Sequence, residues 1–278
     1  MHQVDMQRMN EGHSPLMDWL VAAEAVVRPV GQYLLQQQVG HEQVEIKSLN
    51  SLVSHVDKEA EARLVEGLSR VLPEAGFLAE EGTASSDAGA RYRWVVDPLD
   101  GTTNLIHGLP VFCVSVALVD GDVPVLALVY DPNRDECFTA AKGHGAELNG
   151  QPIRCSGRTS LEEGLVATGV PHWDFTRMAE YLEAMTGYAK GSRGLRRMGS
   201  AAIDLAYVAC GRFDVFFEYS LQPWDIAAGL LLVQEAGGRT TDFKGESDAG
   251  ELLSGAEIFA AAPGLAEEAL EVTRSAFG

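Results

Sequence analysis

The sequence predicts an α+β half followed by an α/β half, the two tightly joined. In the first half, two helical patterns precede short apolar segments that tight-turn residues separate, which is typical of antiparallel strands. After about Gly157, strand-like and helix-like segments alternate. We place the boundary so that the N-terminal subdomain is 1–153 and the C-terminal subdomain is 154–278. A ligand is expected in the cleft between them.

The first half begins with two predicted helices. Ser14 and Pro15 are typical of an N-cap followed by the first helical position. Apolar residues then recur every three or four positions, and Pro29 is expected to kink this helix. A second helix is predicted over 58–71 and should end before Pro73.

Strands are predicted after these helices. Short strands are expected at 76–79 and 92–96, and the segments "VFCVSVALV", "VPVLALVY" and "ECFTAA" predict an antiparallel meander from Val111. For the second half, the predicted strands are 165–169, 213–219 and 257–262, and the predicted helices are 174–189, 200–209, 224–236 and 263–276.

Composition limits the kinds of partner. The chain of 278 residues is 46% hydrophobic and 22% charged, as in globular proteins. It has no run of the ~18–20 apolar residues of a membrane helix and no apolar core of a signal peptide. Its formal net charge of −19 opposes binding to nucleic acid or anionic membranes. With four scattered cysteines, the chain is expected to be cytoplasmic, either an ordinary acidic protein or one adapted to high salt.

The strongest functional pattern is "WVVDPLDGTTN", residues 94–104. Pro98 lacks an N–H donor and is expected to end the strand, so that Asp97 and Asp100 converge with the carbonyl of Leu99 between them. Carboxylates near the end of a buried strand cost free energy unless a positive charge lies beside them. The simpler interpretation is an Asx turn that merely ends the strand, but such a turn does not need both acids.

The residues after Asp100 indicate an anion site. Gly101 permits a sharp turn, and Thr102 and Thr103 can then begin a helical turn whose free N–H groups bind anions. Hard oxygen ligands beside an anion site are typical of a magnesium ion that bridges protein and phosphate. The sequence therefore predicts a magnesium and phosphate site here.

Three further acidic positions have two interpretations each. Glu80, which with Glu81 ends a predicted strand, belongs either to a solvated loop or to the metal site as a bridging carboxylate. Asp57 caps the second helix, or it acts at the metal site or takes a proton from water or from Thr102, and these roles are compatible. Asp225 either caps the helix predicted over 224–236 or closes the cleft as a metal ligand.

The motifs "WVVDPLDGTTN" and "WDIAAG", with the preceding "AEEG" and "VSHVD", resemble those of the inositol monophosphatase family. The likeness runs from about residue 47 to residue 238. The resemblance implies a layered αβαβα sandwich of the sugar-phosphatase type. It also implies a homodimer and a magnesium-dependent, lithium-sensitive phosphatase that acts on a small phosphorylated metabolite.

The resemblance further implies roles for individual residues. Two magnesium ions would be held by Glu80, Asp97, Asp100, Asp225 and the carbonyl of Leu99, and a third, weaker ion would lie near Glu80 with help from Asp57. The phosphate would lie against Gly101, Thr102 and Thr103. Water activated with the help of Glu80 or of the Asp57–Thr102 pair would attack phosphorus in line. The alcohol part of the substrate would contact Gly199, Ser200, Ala201, Glu218 and Asp225.

The favoured function is therefore hydrolysis of a small polyol phosphate, with inositol 1-phosphate as the leading substrate. Adenosine 3′,5′-bisphosphate is the main alternative within the same superfamily, but a cleft poor in Lys and Arg favours a singly phosphorylated substrate. A second class is a regulatory or binding protein that has kept the fold and lost turnover. Against it stands the presence of the full set of implied catalytic residues and side-chain metal ligands, namely Asp57, Glu80, Asp97, Asp100, Thr102 and Asp225.

Overall fold

A computed structural model of the protein describes residues 14–37, 44–48, 51–82, 89–171 and 174–278. In these ranges the helices are α1 (Pro15–Leu35), α2 (His55–Val71), α3 (Thr102–Ile106), α4 (Met178–Gly191), α5 (Ala201–Ala209), α6 (Pro223–Glu235), α7 (Ala249–Leu253) and α8 (Ala266–Phe277). The strands are β1 (Val44–Ser48), β2 (Ser51–Ser54), β3 (Gly76–Ala79), β4 (Tyr92–Asp100), β5 (Cys113–Asp120), β6 (Val123–Asp131), β7 (Glu136–Ala141), β8 (Gly145–Leu148), β9 (Gln151–Ile153), β10 (Val166–Thr168), β11 (Leu195–Arg196), β12 (Val215–Tyr219), β13 (Arg239–Thr241) and β14 (Glu257–Ala261).

Two large sheets organise the chain. The larger sheet has the order β3-β4-β5-β6-β7-β8-β9, so neighbours in sequence are neighbours in space. All its pairs are antiparallel except β3 with β4. The five-stranded sheet has the order β11-β10-β12-β14-β13 and mixes parallel with antiparallel pairs. This is the predicted change from a meander to alternating elements, and β1 pairs separately with β2.

The elements form five layers. Helices α1 and α2 pack on one face of the seven-stranded sheet. Helices α5 and α6 fill the space between the two sheets, and α4 and α8 cover the outer face of the five-stranded sheet. The order is therefore α, β, α, β, α, which confirms the layered sandwich. The proposed division after residue 153 falls between β9 and β10 and stays a prediction.

Burial on both sides explains why the central elements are so apolar. Val116 of β5 packs toward α1 and α2, while its neighbour Ala117 packs toward α5 and α6. A strand covered on both faces has a continuous apolar sequence rather than an alternating one. The central helices also approach closely, because a Cβ atom on Gly229 of α6 would lie 2.4 Å from Leu205 Cδ1 of α5.

Most predicted elements are confirmed with shifted ends, but two predictions at the site are wrong. Strand β4 does not end at Pro98 but continues to Asp100, with a register shift between Asp97 and Asp100. Proline lacks a donor, and such an irregularity is where a sheet tolerates it. Helix α2 begins at His55 rather than at residue 58. Asp57 therefore lies in the first turn and is not the N-cap.

Smaller differences concern other helix and strand ends. Helix α1 begins at Pro15 as predicted and continues past Pro29 to Leu35. Helix α4 starts at Met178 and α8 at Ala266, four and three residues later than predicted. Strand β12 starts at Val215 rather than at residue 213. Across the described ranges, no helix combines the length and apolar character that crossing a membrane requires.

Candidate active site

The end of β4 brings acidic groups and a helix start together. Asp97 and Leu99 are buried, and Asp97 Oδ1 accepts a hydrogen bond of 2.9 Å from the Leu99 N–H. This bond fixes the turn of the irregular strand and leaves the Leu99 carbonyl free to point elsewhere. Thr102 Oγ1 lies 3.0 Å from that carbonyl oxygen. Asp97, the Leu99 carbonyl and Thr102 thus lie within a few residues of one another where β4 ends.

Gly101 is required by the backbone. Its φ of 103° is in the left-handed region, and a Cβ atom there would lie 2.8 Å from the Val111 carbonyl oxygen. No other residue type fits such a position without strain. Helix α3 then begins at Thr102 and Thr103, as predicted.

Asp57 and Thr102 form a direct pair between α2 and α3. Thr102 Oγ1 can donate to Asp57 Oδ1 at 2.9 Å or to the Leu99 carbonyl at 3.0 Å. One hydroxyl carries one proton, so these two acceptors compete for it. Asp57 is buried, and burial makes loss of this hydrogen bond costly. The predicted Asp57–Thr102 pair is present.

Glu80 follows β3 beside β4. Its N–H donates to the Val96 carbonyl at 3.3 Å, which places it one residue from Asp97 on the neighbouring strand. The N–H of the next residue, Glu81, donates to Glu61 Oε2 at 2.7 Å. Glu61 was not identified from the sequence as part of the site. Glu61 is completely buried in α2. The sequence feature that could have identified Glu61 is its position next to Ala60, which lies on the apolar face of that helix.

Asp225 arrives from the second half of the chain. It lies in the first turn of α6, and its Oδ2 accepts a hydrogen bond of 2.7 Å from the Gln222 N–H. The Asp225 side chain therefore caps the start of α6, which is one of its two predicted roles. Helix α6 packs against β4 and β5, and Ser115 Oγ of β5 donates to the Trp224 carbonyl at 3.3 Å. This packing brings the Asp225 carboxylate to the acids of β4.

Asp100 connects the two halves through the start of α5. Ser200 Oγ and the Ala202 N–H each donate to Asp100 Oδ2 at 2.7 Å. Ser200 is also the N-cap of α5 and accepts from the Ile203 N–H at 3.3 Å. Gly199 and Ala201 flank this contact. The predicted alcohol-binding segment therefore lies directly against a predicted metal ligand.

Asn104 is a second connection that the sequence did not reveal. This buried side chain donates from Nδ2 to the Val111 carbonyl at 2.7 Å and to the Met198 carbonyl at 3.0 Å. It thereby ties α3 to the segment before Gly199. Its place in "DGTTN" was the only sequence feature that pointed to it. The sequence could not show its contact with Met198, which is 94 residues away.

Glu218 lies on β12 at the other side of this segment. Its side chain is buried and accepts a hydrogen bond from the Gly169 N–H. A Cβ atom on Gly169 would lie 1.9 Å from Glu218 Oε1, so the carboxyl fills the space above that glycine. Burial raises the pKa of Glu218 to about 8, although the charge of Arg197 lowers it.

Electrostatics show that the acids of the two halves act on one another. Burial and then the charges of Glu80, Asp100 and Asp225 raise the pKa of Asp97 well above its usual value. Burial and then the charge of Asp100 do the same for the pKa of Asp225, and Glu80 adds to the shift. Burial raises the pKa of Asp100 only to about 6, because hydrogen bonds from Ser200 and Ala202 lower it.

This donor set fits magnesium. Buried carboxylates that repel one another need nearby positive charge to stay ionised, and magnesium prefers such oxygen ligands. Among the described residues, no three His, Cys, Asp or Glu side chains already converge at metal-ligand geometry. The Asp97, Asp100 and Asp225 carboxylates are instead held by N–H and O–H donors. These carboxylates therefore have the chemistry that magnesium requires, and they lie close enough for the charge of one to raise the pKa of another.

Fold and site together define a layered α/β protein with a cluster of acidic residues beside a glycine turn and a short helix. The sequence profile of the inositol monophosphatase family matches residues 16–276. The chain belongs to this family, and the predicted resemblance is confirmed. Membership supports a phosphatase; members are generally magnesium-dependent and bind small phosphorylated substrates.

Named relatives carry two different descriptions. The inositol-1-monophosphatase of Rhizobium meliloti is 44% identical over 228 residues, 81% of this chain and 86% of the relative. The putative Nus factor SuhB of Neisseria meningitidis serogroup B is 42% identical over 256 residues, 91% and 97% of the two chains. The crystal structure of the suppressor protein suhB from Bartonella henselae has a TM-score of 0.84 and 38% identity, covering 94% of this chain and 99% of that one.

Two other solved structures contain ligands. An inositol monophosphatase named SaIMPase-II, bound to inositol monophosphate, has a TM-score of 0.74 and 27% identity, covering 92% and 94% of the two chains. An IMPase/NADP phosphatase in complex with Mg²⁺ and phosphate has a TM-score of 0.75 and 25% identity, covering 88% and 89%. Both folds therefore resemble this one over most of their length.

Proposed function

We propose that the protein is a magnesium-dependent phosphomonoesterase that hydrolyses a small polyol phosphate, with inositol 1-phosphate as the leading substrate. The observation that carries the proposal is the group of buried, mutually repelling carboxylates from both halves of the chain. Asp97, Asp100 and Asp225 belong to it, and Glu80 acts on two of them. A site that needs added positive charge is suited to a metal ion and a phosphate.

The proposed ligands are the side chains of Glu80, Asp97, Asp100 and Asp225 and the Leu99 carbonyl. When bound, magnesium lowers the pKa of water and neutralises charge on the phosphate. We expect two ions, and a third and weaker one near Glu80 and Asp57. The N–H groups and hydroxyls of Gly101, Thr102 and Thr103 would bind the phosphate oxygens.

The chain supplies a path for the proton of the attacking water. Thr102 Oγ1 accepts this proton while its own passes to Asp57 Oδ1, 2.9 Å away. Engagement of the Leu99 carbonyl as a ligand would remove the competing acceptor and leave the hydroxyl to Asp57. Glu80 is the alternative base. The products are inorganic phosphate and the alcohol.

The second half positions the alcohol. The backbone of Gly199 and Ala201, the hydroxyl of Ser200 and the carboxyls of Glu218 and Asp225 would bind its hydroxyl groups. Because Ser200 also holds Asp100, binding of the alcohol and of the metal share one structural element. We further expect a cytoplasmic homodimer that lithium inhibits.

Phosphate release tests this proposal. The substrates are inositol 1-phosphate, histidinol phosphate, adenosine 3′,5′-bisphosphate, fructose 1,6-bisphosphate and NADP, each with magnesium and with EDTA. We expect magnesium-dependent release that is highest for inositol 1-phosphate and is lost in Asp100→Asn. No release from any substrate by a folded protein would contradict the proposal.

A second candidate function comes from the relatives described as Nus factors. On this hypothesis the protein is a partner of the transcription machinery, with or without turnover. The complete set of acidic residues favours the enzyme, and the net charge of −19 opposes direct RNA binding. Binding to purified RNA polymerase complexes by a protein that releases no phosphate would favour the second function.

A further inference from the structure

We propose that Gly169 sets the position of the Glu218 carboxyl and thereby favours substrates whose alcohol part carries hydroxyl groups that reach this carboxyl. Gly169 acts through Glu218, so it is a positioning residue. The inference rests on the proposed phosphatase function, in which Glu218 binds the alcohol. It adds a specificity determinant that lies outside the motifs of the family resemblance.

Gly169 and Glu218 are neighbours on two parallel strands. Strands β10 and β12 pair with Thr168 opposite Phe217, and Gly169 and Glu218 are the next residues along the two chains. Side chains alternate along a strand, so Glu218 shares the face of Phe216, which packs toward α5. The Glu218 carboxyl therefore lies between the sheet and α5, over the neighbouring Gly169.

Space, rather than backbone conformation, requires a glycine at this position. The φ of Gly169 is not positive, so a larger residue could adopt the same backbone. A Cβ atom there would, however, lie 1.9 Å from Glu218 Oε1 and 2.2 Å from both Cδ and Oε2. The carboxyl thus occupies the volume of the absent side chain, and the Gly169 N–H donates a hydrogen bond to it.

The strands beside the carboxyl are fixed from the other face of the sheet. The buried Tyr181 hydroxyl lies 3.3 Å from the Gly169 carbonyl oxygen and 3.2 Å from the Phe217 carbonyl oxygen. Thr168 Oγ1 donates to the same Phe217 carbonyl at 2.7 Å. Because a terminal carboxyl rotates more readily than a braced strand shifts, a side chain at 169 would displace the Glu218 carboxyl.

Helix α5 limits where a displaced carboxyl can go. Asp204 of α5 is buried, and burial and then the charge of Glu218 raise the pKa of Asp204 well above its usual value. The two acids are therefore close, and Asp204 occupies space on the α5 side. A larger residue at 169 moves the Glu218 carboxyl away from the position in which it is proposed to bind a hydroxyl.

The place of Glu218 in the fold defines the substrates that Gly169 favours. The proposed phosphate site is at the start of α3, whereas Glu218 lies on β12 of the five-stranded sheet. Strand β12 holds none of the proposed metal ligands. Only an alcohol part that extends from the phosphate to this strand contacts Glu218. A buried group that hydrogen-bonds a substrate hydroxyl discriminates against substrates without it.

Two substrates that share the phosphate and differ in the alcohol test the inference. Inositol 1-phosphate has a hydroxylated ring, and methyl phosphate has no group that reaches Glu218. The variants are Gly169→Ala, Glu218→Ala, their double variant and the control Gly157→Ala. The φ of Gly157 is not positive either, and a Cβ atom there would meet no atom of the described residues within 4 Å. Melting temperatures check that every variant is folded.

We expect Gly169→Ala to raise KM for inositol 1-phosphate about tenfold, as for the loss of one hydrogen bond, with kcat changed less than about threefold. For methyl phosphate, kcat/KM should change less than about threefold, and Gly157→Ala should affect neither substrate. Once Glu218→Ala has removed the carboxyl, adding Gly169→Ala should cost less than about twofold more. Losses that multiply in the double variant, or an equal loss for both substrates, would overturn the inference.

Amide hydrogen exchange separates the inference from the phosphatase proposal. If no substrate is hydrolysed, the proposed function fails, but the hydrogen bond from the Gly169 N–H to Glu218 can still be measured by NMR. We expect this N–H to exchange at least about tenfold faster in Glu218→Ala than in the wild-type protein. Equal exchange in the two proteins would overturn the inference, whatever the catalytic result.

Discussion

The two halves of the chain build the cleft in different ways. In the first half, Asp97 to Thr103 are seven consecutive residues that one irregular strand end and one glycine turn hold together. In the second half, the cleft residues come from three elements, the starts of α5 and α6 and the strand β12. Apart from Asp57 and Glu80, which come from α2 and from the end of β3, the first half depends on local chain geometry, whereas the second depends on how the layers pack.

Asp100 shows the consequence of this difference. It belongs to the first half, yet two donors at the start of α5 hold its Oδ2. Burial raises its pKa only to about 6, because these donors lower it, whereas burial and the charges of Glu80, Asp100 and Asp225 raise the pKa of Asp97 well above its usual value. The first half supplies concentrated negative charge, and the second half orients it.

The largest effect is expected from removal of charge in the first half. Asp97→Asn keeps the shape of the side chain and its acceptor for the Leu99 N–H but removes a metal ligand. Magnesium-dependent kcat/KM should fall about a thousandfold or more. Steady-state phosphate release measures it, with the melting temperature as control. A loss below about tenfold would contradict the role of Asp97 as a ligand.

A smaller loss of activity is expected when the proton path from Thr102 to Asp57 is removed. Thr102→Val removes the hydroxyl that donates to Asp57, and kcat should fall about a hundredfold, within the range of general-base catalysis. Thr102→Ser keeps the hydroxyl and should lose less than about fivefold. The ratio of kcat for the two variants is the measurement. Equal values would show that the methyl group, rather than the hydroxyl, is the important part.

Removal of the support from the second half should cost less. Ser200→Ala loses the donor to Asp100 and the cap of α5 but keeps the Ala202 N–H as a second donor. We expect about a tenfold loss of kcat/KM and about 1 kcal/mol of unfolding free energy. Ser200→Thr, which keeps the hydroxyl, serves as control. A catalytic loss as large as that of Asp97→Asn would mean that the two halves do not differ as described.

The smallest effect concerns the stability of the metal-free protein. The pKa values of Asp100, about 6, and Glu218, about 8, lie above those of the unfolded chain, so the folded protein retains protons that the unfolded chain has lost. The free energy of unfolding should therefore fall as pH rises from about 4 to 8. Each kcal/mol of stability that is lost lowers Tm by roughly 2–4 °C. Calorimetry in EDTA at pH 5 and pH 8 measures it.

Magnesium should reverse this trend. Because the ion favours the ionised carboxylates, the rise in Tm on addition of magnesium should be larger at pH 8 than at pH 5. The variant Glu218→Gln should flatten the metal-free pH dependence, since it removes one of the titrating groups. A Tm that rises with pH in EDTA would contradict this description of the acids.

The local half could largely be predicted from the sequence. The pattern "DPLDGTT" indicated the acids, the turn and the start of α3, because consecutive residues cannot lie far apart. The error there was the end of β4 at Pro98, where a register shift lets the strand continue. The meander was predicted as well, since its strands pair in sequence order.

The packed half could not be predicted in the same way. The hydrogen bond from Asn104 to the Met198 carbonyl depends on packing between segments almost a hundred residues apart. Nothing in the local pattern of either segment specifies such contacts. The five-layer arrangement likewise came from the family resemblance rather than from periodicity.

One measurement tests the central claim that acids of both halves hold the same metal ions. Magnesium binding is measured by calorimetry for the wild-type protein, Asp97→Asn, Asp225→Asn and the control Asp204→Asn. Asp204 is as buried as Asp97 and feels the charges of Asp100 and Glu218, but it is not a proposed ligand. We predict that Asp97→Asn and Asp225→Asn both lose magnesium affinity while Asp204→Asn keeps it. Wild-type binding by Asp225→Asn would contradict the claim.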